Sequence, residues 1–161
     1  MQAVVISKIL RLFFALSALA LAACGQWPQQ TSGESSARGS EVALFALGLL
    51  DTGYRFGGKN PEAGLDCSGM VSYVFAQAAQ MQLSGNAASL ARLGRAVQTH
   101  ALSPGDLVFF NTLSSPWSHV GIYVGDGRFI HAPSSQGRVR LDSLKQAYYA
   151  QRLTTARRYF D

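Results

Sequence analysis

The stretch HVGIYVGDGRFIHAP, residues 119–133, decides the fold of this chain. His119 to Val124 runs into Gly125-Asp126-Gly127, and Arg128 to Ala132 follows. Two short apolar runs around a Gly-Asp-Gly turn predict a β-hairpin. If residues 125–127 form a three-residue loop with Gly127 left-handed, Val124 faces Arg128 and Gly121 falls opposite His131. Residues directly opposite share a face, and so do residues two apart along a strand. His119 and His131 are then diagonal neighbours on one face, with Gly121 leaving room for the rings. Val120, Ile122, Val124 and Ile130 take the other face, as a packed core would. A loop one residue shorter or longer would reverse this parity.

Outward from the hairpin, Ser103 to Asp106 reads as a turn and Leu107 to Phe110 as a buried strand. Val139 to Leu141 is a further strand, Leu144 to Ala150 a short helix, and Arg152 to Phe160 a closing strand. Upstream the periodicity changes. Met70, Val71, Val74, Phe75 and Ala78 recur at helical steps, predicting a helix from Asp66 or Cys67 to about Met81. Glu41 to Leu50 is a shorter helix with Ser40 as its N-cap. A glycine-rich loop over residues 51–64 separates the two, and residues 84–98 are ambiguous, with a short helix around Ala87 to Arg92. Helices first and a strand meander after them predict an α+β domain over residues 41–161, its helices packed on one side of an antiparallel sheet.

The first residues have a different character. Lys8 and Arg11 precede a short apolar run, residues 12–20, too short for a membrane span. Leu21-Ala22-Ala23-Cys24 then resembles a bacterial lipobox. That resemblance implies a signal peptide over residues 1–23, cleavage before Cys24 and acyl chains on Cys24. Several chains on one residue give stable anchoring. Gly25 in place of Asp favours, by the same resemblance, the periplasmic face of the outer membrane. Residues 24–40 are rich in Gly, Ser and Gln and read as a flexible tether, with a typical span of ~22 Å. Losing the two leader cations would take the net charge from +5 to +3. The remaining basic residues are scattered, which argues against nucleic acid as a partner.

With Cys24 assigned to lipid, Cys67 is alone. A single thiol in an exported protein is either buried and inert or reactive. Cys67 falls in the first turn of a predicted helix with Asp66 placed as N-cap. Unpaired N–H groups there favour a thiolate and a lowered pKa. One such thiol and two histidines facing one way have the composition of a nucleophilic site: Cys67 as nucleophile, His119 as base and acid, His131 as orienter. A zinc site of one Cys and two His would lack a fourth ligand and the close Cys spacing of structural sites. His100, in a polar loop before Pro104, reads as surface.

Residues 50–75 (LDTGYRFGGKNPEAGLDCSGMVSYVF), 102–110 (LSPGDLVFF) and 119–133 together resemble the signature blocks of the NlpC-type papain-like cell-wall peptidases. The resemblance covers about residues 41–160. It implies a papain-like core, a Cys67-His119-His131 triad and cleavage of the γ-D-glutamyl–diaminopimelate bond in peptidoglycan stem peptides, without a metal or cofactor. It places Tyr54 beside the nucleophile and Asp66 and Ser68 along the substrate groove. The oxyanion would face the Cys67 N–H, with Tyr54 nearby. Two features depart from the family pattern. Phe56 stands where a Trp is common, and residues 83–90 (LSGNAASL) lack an Arg found in many members, with Arg92 and Arg95 coming later. A monomer is expected. Alternatives are a catalytically weak peptidoglycan-binding scaffold, an amidase or transpeptidase on the same core, and a structural lipoprotein with an unreactive Cys67.

Overall fold

The computed structural model describes residues 32–113 and 115–160. The leader, Cys24 and the start of the expected tether lie outside the described residues.

Helix α1 (Ser32–Leu47) begins inside the segment expected to be tether. Residues 32–40 are therefore helical, a correction to the sequence expectation. Arg38 Nη2 reaches Glu34 Oε1 at 2.8 Å, one turn away, and Gly39 packs closely against Pro104 and Gly105. Ser40 is not a cap; its hydroxyl donates to the Ser36 carbonyl at 2.9 Å, within the helix. Val42, Ala46 and Leu49 are the buried face of this segment.

Two short strands, β1 (Lys59–Asn60) and β2 (Gly64–Leu65), pair within the glycine-rich loop. Helix α2 (Cys67–Ala79) follows directly. It starts because Asp66, extended at φ −91° and ψ 178°, caps it, its Oδ1 accepting from the Gly69 N–H at 2.6 Å. It stops at Gln80, which turns left-handed at φ 55°. Helix α3 (Ala87–Ala91) is capped in the same way by Asn86.

Strands β3 (Arg95–Val97), β4 (Leu107–Phe110), β5 (His119–Gly125), β6 (Arg128–His131), β7 (Arg140–Ser143) and β8 (Leu153–Arg158) form one sheet in the order β3-β8-β4-β5-β6-β7. Every pairing is antiparallel. The meander holds from β4 to β7. The expected closing strand, β8, instead lies between β4 and β3, a strand that the ambiguous stretch 84–98 concealed.

Alternation along the strands sorts the core onto two faces. Leu107, Phe109, Val120, Ile122 and Ile130 pack with Val42, Met70, Val71, Val74 and Phe75 from the helices. Val108, Phe110, Phe129 and Ala156 face the other way, where Tyr149 of the short helix α4 (Ala147–Ala150) covers them. The expectation of helices on one side thus holds for α1 and α2 but not for α4.

Candidate active site

The hairpin that carries both histidines has a two-residue turn, not the expected three-residue loop. Asp126 and Gly127 both have positive φ, 52° and 69°, and Gly125 pairs with Arg128. Such a turn alone would put the histidines on opposite faces. A bulge between Tyr123 and Gly125 adds one residue to β5 and restores the parity, so that Ile122 pairs with Ile130. One step further along this register Gly121 stands opposite His131. It must be glycine: a Cβ there would sit 2.6 Å from Phe129 Cδ2 and 3.3 Å from His131 Cβ.

His119 and His131 therefore share a face and meet. His119 Nε2 lies 2.7 Å from His131 Nδ1, and His131 Nε2 lies 2.8 Å from Asp142 Oδ2 on β7. Arg140 holds the same Asp142 oxygen through Nε at 2.7 Å and Nη2 at 2.6 Å. Tyr149 Oη closes the network, 3.3 Å from Arg140 Nη2 and 3.4 Å from His131 Nε2. His119 is 8% exposed and His131 0%, so the chain runs from the cleft wall into the core. Asp142, Arg140 and Tyr149 were not singled out from sequence.

Burial sets the charge states. His119 is held down to about 3 by burial and then by His131. His131 is held down to about 4 by burial, against the hydrogen bond and charge of Asp142. Burial alone would raise the Asp142 carboxyl. Hydrogen bonds from His131, Arg140 and Tyr149 outweigh it and hold the group below its usual range. Both rings are thus neutral and the carboxylate is ionised.

Cys67 opens α2 and is half-buried and free. Burial pushes its thiol up to about 11, with the Asp66 charge adding to the effect and the N–H groups of Val120, Ser68 and Cys67 opposing it. This corrects the expected thiolate. Desolvation and an adjacent carboxylate outweigh the helix N-terminus, one of whose N–H groups Asp66 already occupies. Asp66 also accepts from the Ser68 hydroxyl at 3.0 Å and, through Oδ2, from the Gly57 N–H at 2.9 Å. A Cβ at position 69 would run into the Gly58 carbonyl, so Gly69 lets the 57–58 loop close on the helix start.

Cys67 and His119 line one groove of about 400 Å³, together with Tyr54, Asp66, Ser68 and Trp117. Of the expected site residues of the domain, all but His131 line this groove, and His131 stands behind His119, bonded to it. Burial, then the Cys67 and Asp66 charges, raise the Tyr54 hydroxyl above its ordinary value. The Arg92 guanidinium lies 5.9 Å from the Trp117 ring centroid, so a cation does stand near the groove. His100 is exposed and lines neither this groove nor the cavity beside His131. Among the described residues no group of three or more His, Cys, Asp or Glu side chains could hold a metal ion.

A thiol at the head of a helix, set against an antiparallel sheet with paired imidazoles, is the papain-like arrangement. Residues 51–158 match the NlpC/P60 family, and the chain belongs to that family. It is 36% identical over 151 residues to the probable endopeptidase NlpC of Escherichia coli, covering 89% of this chain and 95% of that protein. It is 42% identical over 107 residues to the γ-DL-glutamyl hydrolase of Bacillus subtilis, covering 66% of this chain and 26% of that one. With the murein DD-endopeptidase MepH of Escherichia coli the figures are 36% over 108 residues, 65% and 40%. The chain thus spans less than half the length of these last two relatives. Among solved structures, an NlpC/P60 family protein from Bacillus cereus superposes with a TM-score of 0.71 at 27% identity, over 76% of this chain and 40% of that one. The NlpC/p60 domain of the peptidoglycan hydrolase SagA gives 0.63 at 29%, over 73% and 96%.

Proposed function

We propose that this chain is a cysteine endopeptidase that cuts the γ-D-glutamyl–diaminopimelate bond of peptidoglycan stem peptides. The observation that carries this is the hydrogen-bonded run from His119 through His131 to Asp142, beside Cys67 in one groove. Its polarity follows from the donor inventory. Ionised Asp142 accepts only, so His131 carries its proton on Nε2. His131 Nδ1 then accepts, so His119 donates from Nε2 and keeps a lone pair on Nδ1. That nitrogen is the base.

Cys67 attacks as its proton passes to His119 Nδ1, so the charged pair arises only during the reaction. The developing oxyanion faces the Cys67 N–H at the head of α2. His119, now imidazolium and steadied through His131 and Asp142, returns the proton to the departing amine. A water then gives a proton to His119 and its oxygen to the thioester carbonyl, releasing the acid and the thiol. Tyr54, Asp66 and Ser68 bind the acyl side.

The relatives act on different bonds, one named a γ-DL-glutamyl hydrolase and another a DD-endopeptidase; cleavage at the D-alanyl crosslink is therefore the second reading. We place the chain on the periplasmic face of the outer membrane, held by acyl chains on Cys24, because the lipobox-like residues 21–24 follow a basic and apolar leader. Digestion of peptidoglycan by the full chain in detergent, with mass spectrometry of the soluble products, tests both points of chemistry. Fragments ending in γ-D-glutamate, absent with Cys67→Ala, are expected. Fragments ending in D-alanine would favour the second bond, and equal products from Cys67→Ala would refute the nucleophile.

A further inference from the structure

The cleft does not end at His119. Thr112, Leu113, His119 and Ser134 line both the groove around Cys67 and a second cavity of about 360 Å³ on the other flank of the imidazole. The two flanks differ in charge. Around Cys67 the formally charged lining side chain is Asp66. Around the second cavity it is Arg140. Arg140 is fixed from behind by Asp142 and Tyr149, yet 27% of its side chain stays exposed, enough for a ligand to reach. Tyr148, on the same wall, carries the Arg152 guanidinium 4.1 Å from its ring centroid. Ser134, Ser135 and Gln146 complete a polar lining.

A general acid must stand on the leaving-group side of the bond, because its proton goes to the nitrogen as the C–N bond breaks. With the acyl carbon held at Cys67, the departing residue lies past His119. We infer that the second cavity is the subsite for the amine-side residue of the substrate, and that Arg140 selects a residue bearing a free carboxylate there. This rests on the endopeptidase reading above and adds to it a specificity for the leaving group. The fit is of charge: Asp142 and Tyr149 hold the guanidinium in place through Nε and Nη2, which leaves Nη1 to donate a charge-assisted hydrogen bond to a carboxylate in the cavity. An amidated residue would bring a neutral group, and donors of its own, to the same place.

The test uses two tripeptides, L-Ala-γ-D-Glu-diaminopimelate with free carboxylates on its last residue and the same peptide with those carboxyls amidated. The wild-type chain is expected to favour the free form roughly ten- to hundredfold in kcat/KM, the scale of one charge-assisted hydrogen bond. Arg140→Gln will slow both peptides, because Asp142 loses its partner, but the ratio should fall towards one. Arg140→Lys should recover part of the ratio. Equal cleavage of the two peptides by the wild type, or a ratio unchanged in Arg140→Gln, overturns the proposal. A binding measurement separates it from the endopeptidase reading. In the Cys67→Ala chain, diaminopimelate should shift the Arg140 Nε–H resonance and its diamide should not. That result would support the subsite even if neither peptide were cut, and the absence of a shift with diaminopimelate would refute it.

Discussion

Replacing Asp142 by alanine isolates the part of the site that the sequence did not announce. Asp142 accepts from His131 Nε2 at 2.8 Å, and His131 is fully buried. The two tautomers of a neutral imidazole differ little by themselves, so the carboxylate decides which nitrogen of His131 carries the proton. Through the 2.7 Å contact it then decides the same for His119. A hydrogen bond to a charged group contributes about 1.5–3 kcal/mol. Losing it should lower kcat by roughly 10- to 100-fold, since 1.4 kcal/mol is a factor of ten. KM should rise as well, because Asp142 also holds Arg140 at the second cavity, but kcat should carry the larger loss, since Asp142 itself lines neither cavity. Asp142→Asn keeps an acceptor but not the charge and should fall between. The assay is stem-peptide hydrolysis with separate kcat and KM, beside thermal unfolding of each variant. ¹⁵N spectra of the imidazoles should show His119 and His131 losing their single tautomer. A folded Asp142→Ala chain with wild-type kcat and unchanged tautomers would refute the relay.

Two further perturbations follow from the same geometry. His119 and His131 are held down to about 3 and about 4, against 6.5 when unfolded. The unfolded chain therefore binds more protons below pH 6.5. Stability is full above that value and is lost progressively as pH falls towards 4. The unfolding temperature should drop over this window, and the loss should shrink in His131→Gln; a flat profile would contradict the buried neutral pair. Gly121→Ala forces a methyl to within 2.6 Å of Phe129 and 2.9 Å of the Ile130 carbonyl. It should cost roughly 1–3 kcal/mol in denaturant unfolding and disturb His131. An unchanged midpoint would show that the hairpin yields without strain.

What the sequence determined by itself is local. The period of Met70, Val71, Val74 and Phe75, the capping Asp66 and the Asp126-Gly127 turn each act within a few residues, so helix α2, its leading thiol and the histidine hairpin were all legible. The pairing of His119 with His131 was reached on a mistaken loop length, and only the bulge in β5 made it true. A bulge is a property of two strands in register and has no signature in one of them. The helical start at residue 32 was hidden by a Ser- and Gly-rich composition that ordinarily marks a tether. The rest belonged to the tertiary structure. Asp142 reaches His131 because β7 pairs with β6, and Tyr149 because α4 crosses the sheet's second face. The insertion of β8 between β3 and β4 brings together segments about forty to sixty residues apart. The thiol's charge state was decided there as well. A helix N-terminus can be read from sequence and favours a thiolate, but desolvation depends on what packs around the sulfur, and here burial beside Asp66 is the larger effect.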